Sequence, residues 1–297
     1  MQCGGPYLYL ARGTLTNPDV VTSHNPFAKG PLPNNIHHLH HLTMANLVRS
    51  AKSGNDWTQS DLRAYNIKVV YQDAATFFGG PLPQPTTQPK ILRTELDSTN
   101  DQDDDDLHIF LALMQIASRN PWEDETAVGD FVIDLFCKLG YSKKGRVHSS
   151  RWGISSLSCG EWVEAMIDVC LLDYPLATIW LLVQGDRQDL HPEPPLIAKA
   201  IAASSVDNNM QRSLPALEEQ MLPGISMTGT SPTFYKIPVT SALARAVEQG
   251  QFPAEQTVVH AHLPELPRPD QRFFEGMQPL DNRYIMFSCF EAFRQFI

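Results

Sequence analysis

Two apolar segments that each carry an acid, followed by a helix, constrain this chain more than any other stretch. The first runs Ala165-Met166-Ile167-Asp168-Val169-Cys170-Leu171-Leu172-Asp173. The second runs Thr178-Ile179-Trp180-Leu181-Leu182-Val183 and continues into Gln184-Gly185-Asp186-Arg187. Leu171-Leu172-Asp173-Tyr174-Pro175 turns the chain between them, a spacing that suits an antiparallel hairpin. A helix is predicted from Pro194 to Asn208, with Pro194 and Pro195 tolerated in its first turn because the N–H groups there have no intrahelical partner anyway. A carboxylate inside an apolar strand is costly unless it has a hydrogen-bond partner, a proton or a metal. Two such acids on consecutive strands, with a basic residue just after the second, can assemble a divalent-metal site for phosphodiester chemistry.

The elements around this core follow from local pattern. Residues 1–54 are rich in Gly, Pro, Asn and His and read as an irregular segment. Thr58 and Asp61 have the spacing of a helix capping box, and Ile67 to Tyr71 reads as a short strand. Residues 79–89 hold two Gly and four Pro, which end what precedes them. Residues 97–106 form an acidic linker. Leu107 to Ser118 and Glu123 to Leu139 read as amphipathic helices, the second with Val128, Phe131, Val132, Leu135 and Phe136 on one stripe and Gly140 as its stop. A strand from Val147 to Leu157 precedes the Asp168 strand. Gly224 to Val239 reads as two strands around Gly229-Thr230-Ser231-Pro232. A helix over Ser241 to Gln249, a strand over Thr257 to His262 and a terminal helix over Asp281 to Phe296 complete the pattern. The order helix, three strands, helix, strand predicts an α/β fold: a mixed sheet flanked by helices. The expected division is an N-terminal extension over residues 1–106 and an α/β domain over residues 107–297.

The pairing of the Asp168 strand with the Asp186-Arg187 strand end resembles the PD-(D/E)XK nuclease superfamily. In that superfamily a strand Asp is followed by a strand ending in Asp or Glu, any residue, and Lys. More narrowly, the chain resembles a family of uncharacterised fungal proteins, through Asp56-Trp57-Thr58, Leu62 to Ile67, Cys159-Gly160-Glu161-Trp162, Val183-Gln184, Pro192-Glu193-Pro194 and Gly229-Thr230-Ser231-Pro232. The resemblance implies a restriction-endonuclease-like core and a Mg²⁺ site. Its ligands would come from Asp168, Asp186, Glu161 and Glu125 (or Asp130 on the same helix), with Arg187 steadying phosphate charge. The narrow family implies Glu and Lys where this chain has Gly185 and Arg187. Asp186 points to the opposite face from its neighbour in a regular strand, and Arg187 differs from Lys in shape and in its inability to release a proton.

Other motifs have ordinary explanations close at hand. His37 and His41 would share a helix face at metal-binding spacing, yet they sit in a Pro- and Asn-rich stretch without an accompanying acid. His260 and His262 point to one face of a strand, the polar side of an edge strand in the plain reading. Cys159 lacks a neighbouring base other than His148, and Cys159 and Cys170 read as packing residues. No phosphate-binding or dinucleotide-binding glycine motif is present.

The 297 residues suffice for a large core, and 23 basic against 33 acidic residues give a net charge of -10. That balance counts against a nucleic-acid partner, which draws on a basic surface; a basic border of Arg146, Arg151, Arg187 and Lys199 would be its mark. Five widely spaced cysteines fit a reducing compartment, and no apolar run is long enough to span a membrane. An intracellular protein, cytoplasmic or nuclear, is expected. Two functions stand side by side: a nuclease-fold protein with a degenerate metal site that acts through a protein partner, and a Mg²⁺-dependent nuclease or phosphodiesterase acting on nucleic acid.

Overall fold

A computed structural model describes residues 49–86, 89–96, 104–119, 125–174, 178–185, 191–210 and 218–297. In chain order the described elements are α1 (Gln59–Ala64), β1 (Ile67–Tyr71), α2 (Ala74–Phe78), α3 (Asp105–Arg119), α4 (Glu125–Lys138), β2 (Arg146–Ser158), β3 (Glu161–Asp173) and β4 (Ile179–Gly185). They continue with α5 (Glu193–Met210), β5 (Glu219–Thr228), β6 (Ser231–Thr240), α6 (Ser241–Gln249), β7 (Thr257–His262), α7 (Arg272–Glu275) and α8 (Leu280–Phe293). The capping and stop signals in the sequence act at the helix ends. The Thr58 N–H donates to the Asp61 carboxylate at 2.8 Å and opens α1. Gly140 takes a left-handed φ of 68° after α4, and the Tyr141 N–H then bonds back to the Phe136 carbonyl at 2.9 Å.

The seven described strands form one mixed sheet in the order β1-β7-β6-β5-β4-β3-β2. β2, β3 and β4 are a meander of antiparallel pairs. β4 and β5 are parallel, and α5 supplies the crossover such a pair requires. β5, β6 and β7 alternate direction, and β1 lies parallel to β7. The segment from α4 to β5 thus has the helix, three strands, helix, strand order expected from the sequence, and the chain is a mixed α/β fold flanked by helices.

Both sheet faces are covered, which explains the near-continuous apolar runs. On one face Val169, Leu171, Leu181, Val183, Ile225, Met227 and Phe234 pack against α3, α4 and α8. On the other Cys170, Leu182, Tyr235 and Ile237 pack against α5, α6 and α1. Alternate residues of β4 therefore serve opposite cores. α5 is enclosed along Leu196 to Ser204, every residue of which is buried.

Residues N-terminal to the expected boundary at 106/107 contribute to this same sheet and core. β1 pairs with β7 from Ile67↔Thr257 to Tyr71↔Ala261, and Phe77 is buried against Phe293. Arg283, fully buried on α8, holds residues 91–94 in place. Its guanidinium donates to the carbonyls of Ile91 and Thr94 at 2.7 Å, Gln278 at 2.8 Å and Met277 at 2.9 Å. Burial pushes its pKa down to about 10, so it stays charged at neutral pH, and the carbonyl dipoles compensate the charge.

The turn between α7 and α8 depends on Gly276. It has φ 49°, and a Cβ there would lie 2.0 Å from Thr230 Oγ1, the atom that accepts the Met277 N–H at 2.9 Å. Gly276→Ala is expected to cost about 2–4 kcal/mol from backbone strain plus overlap, read as a lowered midpoint in chemical denaturation.

Candidate functional site

β3 and β4 separate at a fork. Their pairing runs from Leu172↔Ile179 to Val169↔Val183 and no further, while β4 stays paired with β5 as far as Gly185↔Met227. Side-chain alternation breaks at the same place. Ala165 and Ile167 face the α5 core, but so do Cys170 and Leu172, so the period of two slips across Asp168. Opposite it on β2, Arg151 takes a left-handed φ of 52° and falls between the pairs Ser150↔Val169 and Trp152↔Ile167.

Asp168 fills the fork. Its Oδ2 accepts the Gly185 N–H at 2.8 Å and the Gln184 Nε2 amide at 2.9 Å. The carboxylate thus supplies an acceptor for a β4 N–H group that β3 has left behind. Gln184 is buried at 6% exposure; its Nε2 also donates to the Gly185 carbonyl at 2.8 Å, and its Oε1 accepts from Lys199 Nζ. Lys199 lies on α5 at 2% exposure. This chemistry fixes the amide orientation. An ammonium only donates and a carboxylate only accepts, so the oxygen faces Lys199 and the nitrogen faces Asp168. One amide therefore bridges a buried cation and a carboxylate, and each charge has a partner of the sign it needs.

The polar row continues across the sheet. Ser226 pairs with Gln184 on the adjacent strand, and its hydroxyl lies 3.4 Å from the Tyr235 phenol. Tyr71 at the end of β1 donates to Glu193 at the start of α5, and Gln59 donates to the other Glu193 oxygen at 3.0 Å. Burial first, and then the bond to Glu193, push the Tyr71 phenol up, so it keeps the proton it donates. Because β1, β7, β5 and β4 run in the same direction, this row lies along the carboxyl ends of the parallel strands, the edge at which open α/β sheets place ligands.

The residues expected at a metal centre are not brought together among the described residues. Glu161 is exposed at the hairpin turn, paired with Ser158, and β3 is unbroken from there to Asp168, about 23 Å of strand. It is not a neighbour of Asp168. Asp130 is exposed on α4; Glu125 opens that helix, but its side chain lies outside the described residues, as do Asp186, Arg187 and the tract His37–His41. No group of three or more His, Cys, Asp and Glu among the described residues is placed to hold a metal ion. At Asp168 the described contacts are to Oδ2, which receives two N–H groups, one of them from the Gln184 amide nitrogen. The expected basic border is also redistributed, since Lys199 is enclosed and Arg146 stacks over the Trp180 ring at 5.1 Å.

The remaining motifs are structural. Cys159 and Gly160 form the left-handed turn of the β2–β3 hairpin, and their N–H groups cap the last carbonyls of α6, at Val247 (3.0 Å) and Glu248 (2.7 Å). The Cys159 thiol meets Tyr65 OH at 3.3 Å, whereas His148 bonds Ser142 at the other end of β2. β7 is an inner strand rather than an edge strand, and His262 is buried at 1% exposure, stacked on Phe77 with centroids 5.6 Å apart. Its Nδ1–H donates to the Gln72 carbonyl at 3.0 Å, which leaves Nε2 to accept from the Cys289 thiol at 3.8 Å. The sequence alone predicts Lys199 in a basic surface border and assigns Gln184 no role. The usable signal was the one that flagged Asp168: Lys199 is a lone charge within Leu196 to Ala203.

Asp168→Ala is expected to cost about 1–3 kcal/mol, because it strands two buried N–H donors. Asp168→Ala and Lys199→Met should be non-additive by about 0.5–3 kcal/mol in a denaturation cycle, since Gln184 links them; strict additivity would contradict the bridge. Desolvation holds the His262 imidazole below its usual range, and His260 likewise, desolvation there being followed by the Lys236 charge. Below about pH 6.5 the unfolded chain then binds protons that the folded one refuses. Stability should therefore be complete above that pH and fall with acidification down to the folded pKa values, and His262→Gln should flatten the decline in a pH series of thermal melts. The sequence matches no protein-family model, and comparison with curated proteins finds no match.

Proposed function

We propose that this chain is a non-catalytic interaction or accessory protein built on a nuclease-type α/β scaffold, in which the strand acid has been turned to holding the fold. One observation carries the reading: the amide of Gln184 sits between Asp168 and Lys199 and donates to the carboxylate. Metal-dependent phosphodiester cleavage needs carboxylate oxygens converging on a shared cation. At this fork Asp168 Oδ2 is directed to backbone and amide N–H groups instead. The net charge of -10 supports the same reading, since a nucleic-acid substrate is repelled by it. Large exposed side chains near the two ends of β3, Trp162 at 70% and Tyr174 at 71%, suit contact with a protein. No helix among the described residues is long and apolar enough to cross a membrane.

A second reading, a Mg²⁺-dependent nuclease or phosphodiesterase, draws support from the position of Asp168 and, across Gln184, Lys199 at the carboxyl ends of parallel strands. Calorimetric titration of the full chain with Mg²⁺ and Mn²⁺, on wild type and Asp168→Ala checked for folding by circular dichroism, separates the two. The proposal expects no saturable heat in either protein and no metal-dependent cleavage of DNA or RNA. Saturable binding that Asp168→Ala abolishes, together with cleavage, would establish the nuclease instead.

A further inference from the structure

The two edges of the sheet differ. β1 is a five-residue edge strand, of the short kind that blunts unwanted pairing. β2, at the other end of the strand order, is thirteen residues long, and no described strand pairs with its outer side. It contains no proline and no acid. The turn that leads into it, closed by reciprocal bonds of 2.8 Å between Lys143 and Arg146, adds Lys143 and Lys144. Lys143, Lys144 and Arg151 are exposed, and none forms an ion pair among the described residues. Among the described residues, a chain with an acidic excess therefore presents one long strand edge, open beyond Arg146, whose charged side chains are all basic.

Building on the interaction reading above, we propose that the outer edge of β2 docks an extended acidic segment of a partner protein, which adds to the sheet as a further strand. An edge strand offers alternating N–H and C=O groups, and only another polypeptide satisfies both kinds. Nucleic-acid phosphates supply acceptors alone. A second copy of β2 would bring a second set of basic side chains against the first, which disfavours self-pairing. Acidic side chains on the incoming strand would meet Lys143, Lys144 and Arg151, fixing its register and drawing it in at low salt.

The test uses the full chain and a fluorescein-labelled peptide of alternating Glu and Val, read by anisotropy. Comparison probes are the same peptide N-methylated at alternate residues, a Lys–Val peptide and single-stranded oligothymidine. The Glu–Val peptide should bind, lose affinity about tenfold or more on N-methylation, weaken with salt, and raise hydrogen-exchange protection across Arg146 to Ser158. The Lys–Val peptide should not bind. The exposed pair Lys143→Glu and Lys144→Glu, chosen because neither supports the core, should weaken binding severalfold. Equal affinity of the N-methylated peptide would overturn strand addition. Tighter binding of oligothymidine would overturn the choice of a polypeptide. Binding of neither would show that the basic residues only keep the edge from pairing. That last result leaves the reading of the Asp168 fork untouched, because metal titration tests it separately.

Discussion

Where an antiparallel neighbour leaves a strand that still has a parallel one, the backbone on the departing side loses its partners. In this chain that happens at Val169 and Val183, and Gly185 is the first β4 residue with an N–H directed at the gap. A buried amide without an acceptor costs about 1–3 kcal/mol, so the fork needs an oxygen. Asp168 provides it, and the demand propagates from there. A carboxylate at a buried edge calls for further donors, which Gln184 supplies. The amide oxygen of Gln184 calls for a donor of its own, which Lys199 supplies from the enclosed face of α5. The rotational setting of the crossover helix is thus tied to the point at which two strands part.

This arrangement accounts for how much could be read from the sequence. Asp168 stood out because a charge in an apolar strand is rare, and the structure gives that charge a partner, one of the outcomes solvation allows. The strand and helix order was legible because β4 and β5 are covered on both faces and α4 carries a single apolar stripe, so each imposes its own period. A strand read from Ala165 sets Glu161 in the approach to Asp168, whereas β3 begins at Glu161 itself. Trp162, Glu164 and Met166 are exposed in alternation with more buried neighbours, and that alternation already extends β3 back to the turn. Lys199 was misplaced because lysine ordinarily lies on a surface, although the wholly apolar stretch around it left no surface for it to occupy. The pairing of β1 with β7 and the inner position of His262 rest on contacts between distant parts of the chain, which no local period reports.

The long hairpin and the fork belong to one design. The break in alternation at Asp168 and the left-handed Arg151 opposite it re-aim the far halves of β2 and β3, whose turn then caps the end of α6. Anchored at both ends, β2 has no described strand on its outer side, where Arg146 alone is already paired, with Lys143. The bulge opposite the Asp168 fork therefore also shapes the hairpin whose outer strand is β2.

The central claim is that the Asp168 carboxylate is a structural acceptor for the Gly185 amide. Native-state hydrogen exchange at that single amide, followed by NMR with and without millimolar Mg²⁺, tests it most directly. Strong protection that Mg²⁺ leaves unchanged is the predicted result. Rapid exchange, or a rate that shifts as Mg²⁺ is added, would mean that the carboxylate is available to a cation and would contradict the account.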